Sequence, residues 1–435
     1  MEIVRKILFI FILSAAVLNI SCSDGDSDDD GTPVIKEPVS QARSEKRGVS
    51  FSFQLVDDVL LMAPGISWSY NWGPDQSAMF DEPVSTAKID FCPMAWNGNF
   101  DANRIRSYKQ THPECEYLLA FNEPNLTDQA HMTPQQAAQY WPELRTLATE
   151  LGMKLISPAM NYGTLSGYSD PIKWLDEFFT LVPISDIDGI SIHCYMASAA
   201  AAKSYIERFK KYDKPIWMTE FCAWEGNLTP ASQMKYMCDI INYMESDPDV
   251  ARYAWFIPRG NGSVGSYPYM FLLTKSQLTE LTDLGKVFVN MSTQDKNVYY
   301  VEGQTIEAEH YNSISISEGV GTNSWVSGPS MQPTTDGMGG TLELCNFFTN
   351  QWVEYQIEVF QTKSYTLDLR YASFTDSEID IGVNGTKAGS VVLPKTGEEY
   401  IWTNQEAKIQ LSKGKHKLRL KLTSGRLCLN WLKVS

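Results

Sequence analysis

The feature that most constrains the fold of this sequence is a regular alternation, between residues 46 and 292, of short apolar runs with longer amphipathic stretches. The short runs are rich in β-branched and aromatic residues, as strands are, and the longer stretches repeat apolar residues at helical spacing. The strand candidates are RGVSFSF (47–53), ISWSYNW (66–72), KIDFCPMAW (88–96), YLLAFNE (117–123), KLISPAM (154–160), DGISIHCY (188–195), PIWMTEF (215–221) and ARYAWFI (251–257). Eight strands with about eight helices between them predict an α/β fold, a (β/α)8 TIM barrel, for which roughly 250 residues is typical.

The pattern changes after residue 300. From there to residue 435 the sequence carries alternating apolar and polar runs, such as WVEYQIEV and YTLDLRYAS, without helical segments between them. Turn signals such as Asn384-Gly385 separate these runs. The pattern predicts a second domain, an antiparallel β-sandwich over residues 300–435, and two domains suit a chain of 435 residues.

The first 45 residues have a different character. Two basic residues precede a short apolar run that ends just before Asn19-Ile20-Ser21-Cys22, which is the layout of an export signal and is too short to span a bilayer. A small residue before Cys22 resembles a bacterial lipoprotein processing site. We expect a signal peptide over 1–21, a lipid anchor on Cys22 and an acidic flexible tether over 22–45. The acidic run after Cys22 (Asp24, Asp26, Asp28, Asp29 and Asp30) resembles the export tag of surface-displayed lipoproteins in some Gram-negative bacteria, which implies a surface lipoprotein of the bacterial outer membrane. The alternative is plain secretion with an incidental cysteine.

Charge and cysteine content exclude some classes of function. A formal net charge of −16 argues against nucleic acid as a partner, because a phosphate backbone requires basic patches. The seven cysteines after Cys22 show no CxxC spacing, which indicates buried thiols rather than a disulfide framework or a zinc site, with Cys345 and Cys428 as a conceivable pair. No HExxH motif suggests metal catalysis, so we expect no catalytic cofactor. We also expect a monomer.

Two glutamates end predicted strands. Glu123 ends the fourth strand within LLAFNEPNLT, and Glu220 ends the seventh within PIWMTEF. In a (β/α)8 barrel the C-terminal strand ends form the active site, so these carboxylates are expected to face each other across its mouth. Because Glu123 precedes a proline, we expect an extended backbone there. Glycoside hydrolysis needs such a pair, one carboxyl group to protonate the leaving oxygen and one to attack the anomeric carbon or activate water.

Other strand ends supply aromatic and polar residues around this pair. Asn122 could bond a sugar 2-hydroxyl, while His193 and Tyr195 could orient Glu220. We expect Trp255 to be the platform under the sugar and Trp217 to pack against helices. The ionised Glu220 is expected to raise the pKa of Glu123. The further substrate-binding candidates are Tyr70, Trp72, Trp96 and Tyr162.

The strand-end motifs resemble the clan of retaining glycosidases whose catalytic glutamates end strands four and seven. The order WSYNWG, FCPMAW, AFNEPN, GISIHCY and WMTEF is similar to glycoside hydrolase family 128, which acts on β-1,3-glucans. That resemblance implies an endo-β-1,3-glucanase in which Glu123 is the acid/base and Glu220 the nucleophile, with retention of anomeric configuration. Two alternatives stay open: action on another β-glycan such as xylan, mannan or a mixed-linkage glucan, or a non-catalytic surface protein that binds glycans.

The second domain resembles carbohydrate-binding module family 6 through IEAEHY (306–311), WVEYQIEV, YTLDLRYAS, VVLPKTG and LCLNWLKV. That resemblance implies a jelly roll with a structural calcium, for which Glu307 and Glu309 are the matching ligands. TGEEYIW lacks the tryptophan usual just after the glycine. Tyr400 or Trp402 would then supply the aromatic platform, and Asn430 the polar contact.

Overall fold

The computed structural model describes residues 36–275, 279–317, 326–397 and 400–435. The predicted signal peptide, the lipid-anchor residue Cys22 and most of the predicted tether lie outside these ranges. Within the described ranges, no helix combines the length and the apolarity that crossing a bilayer requires. All seven cysteines after Cys22 are buried, as the sequence predicts, and no disulfide joins Cys345 to Cys428.

The first part of the chain alternates strands and helices. Its strands are β1 (Arg47–Ser50), β2 (Trp68–Tyr70), β3 (Asp90–Phe91), β4 (Tyr117–Leu119), β5 (Lys154–Ile156), β6 (Ile190–Cys194), β7 (Ile216–Phe221) and β8 (Val250–Trp255). Its helices are α1 (Val56–Met62), α2 (Asp81–Thr86), α3 (Ala102–Thr111), α4 (Pro134–Leu151), α5 (Pro171–Leu181), α6 (Ala199–Phe209), α7 (Pro230–Ser246) and α8 (Asp283–Asn290). The predicted α/β domain is therefore confirmed.

Every strand pair in this domain is parallel. One sheet has the order β3-β2-β1-β8-β7-β6, and β4 pairs with β5. Isolated parallel bridges join the two sets, Met94 to Leu119 on one side, and Ile156 to Gly189 and Met160 to Ile192 on the other. Parallel order brings the C-terminal ends of all eight strands to the same edge, where parallel α/β folds place their binding and catalytic sites.

Apolar side chains from the strands and helices form two separate clusters. The larger cluster includes Trp255 and the inward faces of the helices. A smaller one is built from strand residues and the segments that extend them: Trp68, Tyr70, Cys92, Met94, Leu119, Ile156, Trp217 and Ala254. Trp217 belongs to this smaller cluster, with its ring 5.3 Å from that of Trp68. The prediction that Trp217 packs against helices is therefore wrong.

The rest of the chain is rich in strands. They are β9 (Tyr300–Val301), β10 (Thr305–Glu307), β11 (Ser313–Ile314), β12 (Ile316–Ser317), β13 (Val326–Ser327), β14 (Ser330–Pro333), β15 (Leu342–Phe348), β16 (Trp352–Val359), β17 (Lys363–Ser373), β18 (Ser377–Val383), β19 (Thr386–Leu393), β20 (Thr403–Leu411), β21 (Gly414–Ser424) and β22 (Arg426–Val434). One sheet has the order β14-β15-β22-β17-β20 with β10 on β22, and another has β11-β16-β21-β18-β19 with β9 on β16. Apart from the β9–β16 pair, the pairs in both sheets are antiparallel, which confirms the predicted β-rich domain.

Helix α7 carries buried contacts to the β-rich domain. The hydroxyl of Tyr311 donates to Oδ1 of Asn242 at 2.6 Å, and both side chains are fully buried. Nε2 of Gln294 donates to the carbonyl of Asn242 at 2.9 Å, and the hydroxyl of Ser292 donates to the carbonyl of Tyr311. Buried, satisfied polar groups of this kind fix the geometry of an interface. The two domains therefore pack through a specific contact.

Candidate active site

Glu220, at the end of β7, is held by hydrogen bonds from three aromatic side chains. The hydroxyl of Tyr70 and Nε1 of Trp72 donate to its Oε1 at 2.8 and 2.7 Å, and the hydroxyl of Tyr195 donates to its Oε2. Glu220 is buried, so these donors replace the water that its carboxylate would otherwise need. Tyr70 and Trp72 were expected to contact sugar, whereas in this structure they contact the carboxylate.

An irregularity in β7 brings Glu220 into the cleft. Met218 lies in the larger, helix-facing cluster and Trp217 in the smaller one, so simple alternation would turn Glu220 toward the helices. The pairing of β7 with β8 shifts register between Met218 and Phe221. Such shifts re-aim side chains and are common beside active sites. Here the shift turns Glu220 toward Tyr70 and Tyr195.

Glu123 lies on the segment that follows β4. Its Oε1 accepts from Nδ2 of Asn161 at 3.0 Å and lies 2.9 Å from Nδ1 of His193. Its backbone has φ 43°, in the left-handed region, so the prediction of an extended backbone is wrong. Its amide donates to the carbonyl of Ala159, and its own carbonyl accepts from the amide of Leu126, which turns the chain immediately after the glutamate.

His193 connects the two carboxylates. Its Nδ1 lies 2.9 Å from Oε1 of Glu123 and 3.4 Å from Oε2 of Glu220. One side-chain atom from each of the three residues lies within 4.8 Å of the others. The expected meeting of the two glutamates therefore occurs in the structure, with a fully buried imidazole between them.

The pKa values in this triad depend on each other. Burial lowers the pKa of His193, but the charges of Glu220 and Glu123 and the hydrogen bond to Glu123 outweigh burial, so the net shift is upward. Burial raises the pKa of Glu123, but the charge of His193 and the hydrogen bonds from His193 and Asn161 reverse this shift, so its pKa is lowered. A raised pKa of Glu123 was expected from Glu220 alone, and that expectation is wrong because it left out His193.

A group of aromatic rings surrounds Glu220 at the open side of the cleft. The ring of Phe256 lies 6.1 Å from Trp72, 5.4 Å from Tyr195 and 6.0 Å from Trp224. Trp224 is 40% exposed. Aromatic faces of this kind suit the apolar faces of sugar rings. Phe256 and Trp224 were not among the residues predicted from the sequence.

Trp255 is not part of this group, which corrects the prediction that it forms the sugar platform. Its ring is fully buried, its Nε1 donates to the carbonyl of Met270, and it packs 5.1 Å from Phe221 and 6.2 Å from Phe288. Ala254 faces the smaller cluster, so the alternation along β8 sends Trp255 to the helix side and returns Phe256 to the cleft. The sequence shows that two aromatic residues end this strand, but it does not show which of them faces the cleft.

The remaining predicted residues lie at the same edge. Asn122 is buried beside Glu123, its Nδ2 donates to Oε1 of Gln129, and its Oδ1 is buried without a hydrogen-bond partner among the described residues. Trp96 is half-buried and packs on the smaller cluster. Tyr162 is 47% exposed and lines a cavity next to His193. Asn161 also lies there; it directly follows the predicted strand KLISPAM, and the sequence analysis gave it no role.

The β-rich domain contains a second group of buried oxygens. Oε2 of Glu307, Oε2 of Glu309 and Oδ1 of Asn430 are buried without hydrogen-bond partners among the described residues. Gly340, at φ 95°, leaves room for two of them, because a Cβ there would lie 2.5 Å from Oδ1 of Asn430 and 3.0 Å from Oε2 of Glu307. Asn430 is fully buried and donates to Asp336 and to the carbonyl of Gly339. This burial contradicts its expected role as an exposed sugar contact.

Trp402 and Tyr400, the expected aromatic platform of this domain, lie near its surface. Nε1 of Trp402 donates to the hydroxyl of Thr335 at 3.1 Å. Tyr400 is exposed, with its ring 6.2 Å from that of Phe374. Both rings are accessible, while the amide of Asn430 is covered by the segment that contains Gly339 and Gly340.

Two family models match the chain. The glycosyl hydrolase catalytic core matches residues 48–288, which is more than half of the chain and contains both glutamates. The carbohydrate binding module (family 6) matches residues 322–435, a range that begins after Glu307 and Glu309.

Solved structures and a curated protein resemble the first domain. A glycoside hydrolase family 128 (subgroup II) endo-β-1,3-glucanase from Pseudomonas viridiflava is 36% identical, with a TM-score of 0.53, and the match covers 57% of this chain and 98% of that chain. The corresponding enzyme from Sorangium cellulosum is 32% identical, with a TM-score of 0.51 and coverages of 56% and 98%. Alkali-sensitive linkage protein 1 of Schizosaccharomyces pombe is 27% identical over 234 residues, which are 52% of this chain but only 40% of that protein.

Proposed function

This chain belongs to the glycosyl hydrolase catalytic-core family and is a glycoside hydrolase of family 128, and we propose that it hydrolyses β-1,3-glucan as an endo-acting enzyme. The observation that carries the proposal is the pair of buried glutamates, Glu123 and Glu220, on either side of His193. The proposed linkage is supported by two solved relatives above 30% identity, both of which are endo-β-1,3-glucanases.

Glu123 is the proposed acid/base and Glu220 the proposed nucleophile. Glu220 attacks the anomeric carbon while Glu123 gives its proton to the glycosidic oxygen, and the bond from that carbon to the leaving oxygen breaks. Glu123 then removes a proton from water, which displaces Glu220 and restores both groups. His193 contacts both carboxylates and can take up charge when the proton of Glu123 moves.

The spacing of the carboxylates favours retention of anomeric configuration. Retaining glycosidases hold their carboxyl groups about 5–5.5 Å apart, whereas inverting ones keep a gap of about 6.5–9.5 Å for water. An oxygen of Glu123 and an oxygen of Glu220 lie within 4.8 Å of each other, which is closer to the shorter, retaining separation than to the longer, inverting one. The three donors to Glu220 fix the orientation of its carboxylate before attack.

Asn122 is the proposed partner of the sugar 2-hydroxyl. It precedes the acid/base in sequence, and its buried Oδ1 has no partner in the described part of the chain. A hydroxyl that donates to this oxygen would satisfy it, and bonds at the 2-position strengthen in the transition state. Phe256 and Trp224 are the proposed stacking surfaces, in place of Trp255.

Closure of the eight parallel strands into a barrel is also part of the proposal. The bridges from Met94 to Leu119 and from Ile156 to Gly189 lie where a ring would need its last two joins. The smaller cluster has the composition of a barrel interior, with side chains from β2, β4, β5, β7 and β8. For the β-rich domain, the two multi-stranded antiparallel sheets support a jelly-roll sandwich.

We also propose a structural calcium ion in the β-rich domain. Calcium takes carboxylate and amide oxygens, and three such oxygens are buried there without partners among the described residues: Glu307, Glu309 and Asn430. Glu307 and Asn430 approach the same point above Gly340, so they fit a shared ion. The ion would neutralise buried carboxylates and tie β10 to β22. Export and lipid anchoring at Cys22 likewise stay predictions.

The test is hydrolysis of defined polysaccharides by the purified chain from residue 46 onward. Incubation with laminarin, with a β-1,4-glucan and with xylan, followed by chromatography of products, should release laminari-oligosaccharides from laminarin alone. Products from xylan or the β-1,4-glucan would keep the two-glutamate chemistry and reject the linkage. Retention of glycans on the chain without any product would instead support the non-catalytic alternative. NMR of the first product formed should show the β-anomer.

A further inference from the structure

The loop between β7 and α7 carries Trp224 at the edge of the cleft. Its ring lies 6.0 Å from the ring of Tyr195 and 6.0 Å from that of Phe256, and 40% of the residue is exposed. Surface loops are usually mobile, and a mobile side chain loses conformational entropy when a ligand stacks on it. A ring that is already held in place avoids this cost and binds more tightly. The contacts that hold the backbone around Trp224 therefore affect its use as a stacking surface.

Gln233 holds the residue that precedes Trp224. It lies in the first turn of α7, and side chains in a helix lean toward its N-terminus, so this side chain reaches the loop before the helix. Its Nε2 donates to the carbonyl of Ala223 at 2.8 Å, and its Oε1 accepts from the amide of Ala223 at 3.2 Å. Gln233 is fully buried. Its side chain therefore fixes both backbone polar groups of Ala223.

The same side chain also bonds the loop between β8 and α8. Nε2 of Gln233 donates to the carbonyl of Pro268 at 2.7 Å, so the amide of Gln233 makes three hydrogen bonds in all. Loss of any of these bonds would leave a buried polar group without a partner, which is costly. Gln233 therefore ties the two loops to each other and to α7.

Tyr267 joins the two loops a second time, at the surface. Its hydroxyl donates to the carbonyl of Trp224 and lies 3.2 Å from the carbonyl oxygen of Gly226. On the other side, the amide of Trp224 donates to the carbonyl of Tyr195, directly after β6. The backbone of residues 223–226 is thus held from β6, from α7 and from the loop that follows β8.

We propose that Gln233 and Tyr267 are positioning residues for glucan binding, because they hold residues 223–226 and so keep the ring of Trp224 at the edge of the cleft. Their polar groups bond backbone atoms of the two loops, so both residues act on the sugar through Trp224. The inference rests on the proposed function, in which Trp224 is a stacking surface. It adds that the two loops must keep one arrangement for the glucan to bind with full affinity.

Steady-state kinetics of the full chain on laminarihexaose is the first test. Gln233→Met keeps the length of the side chain and removes its hydrogen bonds, and it should raise KM about 3- to 10-fold, as for loss of an aromatic contact. Its kcat should stay within about 2-fold of wild type, because the groups around the two glutamates are unchanged. Tyr267→Phe should raise KM by less, about 2- to 3-fold, because the lost hydrogen bond is exposed to water.

Tyr267 is 46% exposed, so its variant tests the proposal even if Gln233→Met does not fold. KM values equal to that of wild type in every variant that folds would overturn the proposal. So would a loss confined to kcat, since a residue that acts through a stacking ring affects binding.

A double-mutant cycle tests whether Gln233 acts through Trp224. Trp224→Ala alone should raise KM, because the stacking ring is lost. Trp224→Ala combined with Gln233→Met should give the same KM as Trp224→Ala alone, because the ring that Gln233 positions is then absent. A further increase, as large as that caused by Gln233→Met in wild type, would show that Gln233 acts by another route and would reject the proposal.

Fluorine NMR supplies a measurement that needs no turnover. The full chain is labelled with 5-fluorotryptophan, and the resonance of Trp224 is identified by its absence in Trp224→Phe. Gln233→Met and Tyr267→Phe should shift or broaden this resonance, because the ring then occupies a changed environment. An unchanged resonance in both variants would overturn the positioning role. If the resonance changes but wild type does not hydrolyse laminarihexaose, the proposed function fails and the positioning of Trp224 stands.

Gln294→Met is the matched control. Gln294 is also buried, and its Nε2 donates to the carbonyl of Asn242 at the contact between the two domains. This variant likewise loses a buried hydrogen bond and should lose stability, but its KM and its Trp224 resonance should match those of wild type. An increase in KM as large as that of Gln233→Met would attribute the effect to lost stability and reject the proposal.

Discussion

Nδ1 of His193 lies 2.9 Å from Oε1 of Glu123 and 3.4 Å from Oε2 of Glu220. A single ring nitrogen thus contacts both carboxylates that the chemistry needs. The protonation of one glutamate therefore changes the charge that the other experiences, with His193 as the intermediary. Predictions about pH have to treat the three groups together.

Replacement of His193 by Gln should alter how stability depends on pH. The raised pKa of His193 makes a favourable contribution that is complete below the ordinary histidine value, about 6.5, and is lost as pH rises through the folded-state value. The lowered pKa of Glu123 makes a contribution present above the ordinary value, about 4.3, and lost as pH falls through the folded-state value. The difference in Tm between wild type and His193→Gln should peak between these pH values. A difference that stays constant from acid to alkaline pH would contradict the ion-pair assignment.

Glu220→Ala should lower kcat on laminari-oligosaccharides by about 10³-fold or more, because no covalent intermediate can form. Added azide should restore turnover of an activated aryl laminaribioside and give the α-glycosyl azide, since a small anion can occupy the space left by the carboxylate. Glu123→Ala is the control: azide there should attack the glycosyl-enzyme and give the β-glycosyl azide. The same anomer from both variants would reject the assigned roles.

Tyr70→Phe and Trp72→Phe should act on kcat more than on KM. Each substitution removes one hydrogen bond to Oε1 of Glu220. Loss of a hydrogen bond to a charged group changes an equilibrium constant or a rate constant by about 10- to 100-fold. If these rings served as sugar platforms, as the sequence suggested, the main effect would be on KM. Steady-state kinetics on laminarihexaose distinguishes the two roles, and a change confined to KM would restore the original interpretation.

The alternation of parallel strands with helices and the meeting of Glu123 and Glu220 could be predicted because both rest on long-range regularities. Alternation of strands and helices indicates parallel strands, and parallel strands bring Glu123 and Glu220 to one edge whatever their exact bounds. The start of α4 also follows a general sequence rule, since Thr133 accepts from the amide of Gln136 and Pro134 occupies the first turn.

The features that could not be predicted depend on which face of a strand one particular residue occupies. In β7 the register shift between Met218 and Phe221 moves Glu220 to the cleft, and no residue type in IWMTEF indicates it. In β8, the face on which Ala254 lies decides whether Trp255 or Phe256 faces the cleft, and only the packed structure gives that face. The prediction for the pKa of Glu123 failed for a related reason, since the direction of its shift depends on the position of the His193 imidazole.

Tyr311→Phe should destabilise both domains together. The substitution removes the buried bond to Asn242 on α7, at a cost of about 1–2 kcal/mol and a decrease in Tm of about 2–5 °C. Scanning calorimetry should show one transition in wild type and one, shifted downward, in the variant. Tyr299→Phe is the control, because it keeps the ring that faces Lys415, and it should shift Tm by less than about 1 °C. Two separate transitions in wild type would show that the interface does not couple the domains.

Calcium should stabilise the full chain through the β-rich domain. Glu307, Glu309 and Asn430 offer buried oxygens without protein partners in the described ranges, so an ion that binds only the folded state should raise Tm, and a chelator should lower it. Glu309→Gln should abolish the response, because the amide removes a charge from the ligand set. Glu343→Gln is the matched control: Glu343 is also buried in this domain, but its oxygens already accept from Gln332 and Thr335. That variant should lose stability yet keep the full response to calcium. An equal response in Glu309→Gln and wild type would mean that the three oxygens do not share an ion.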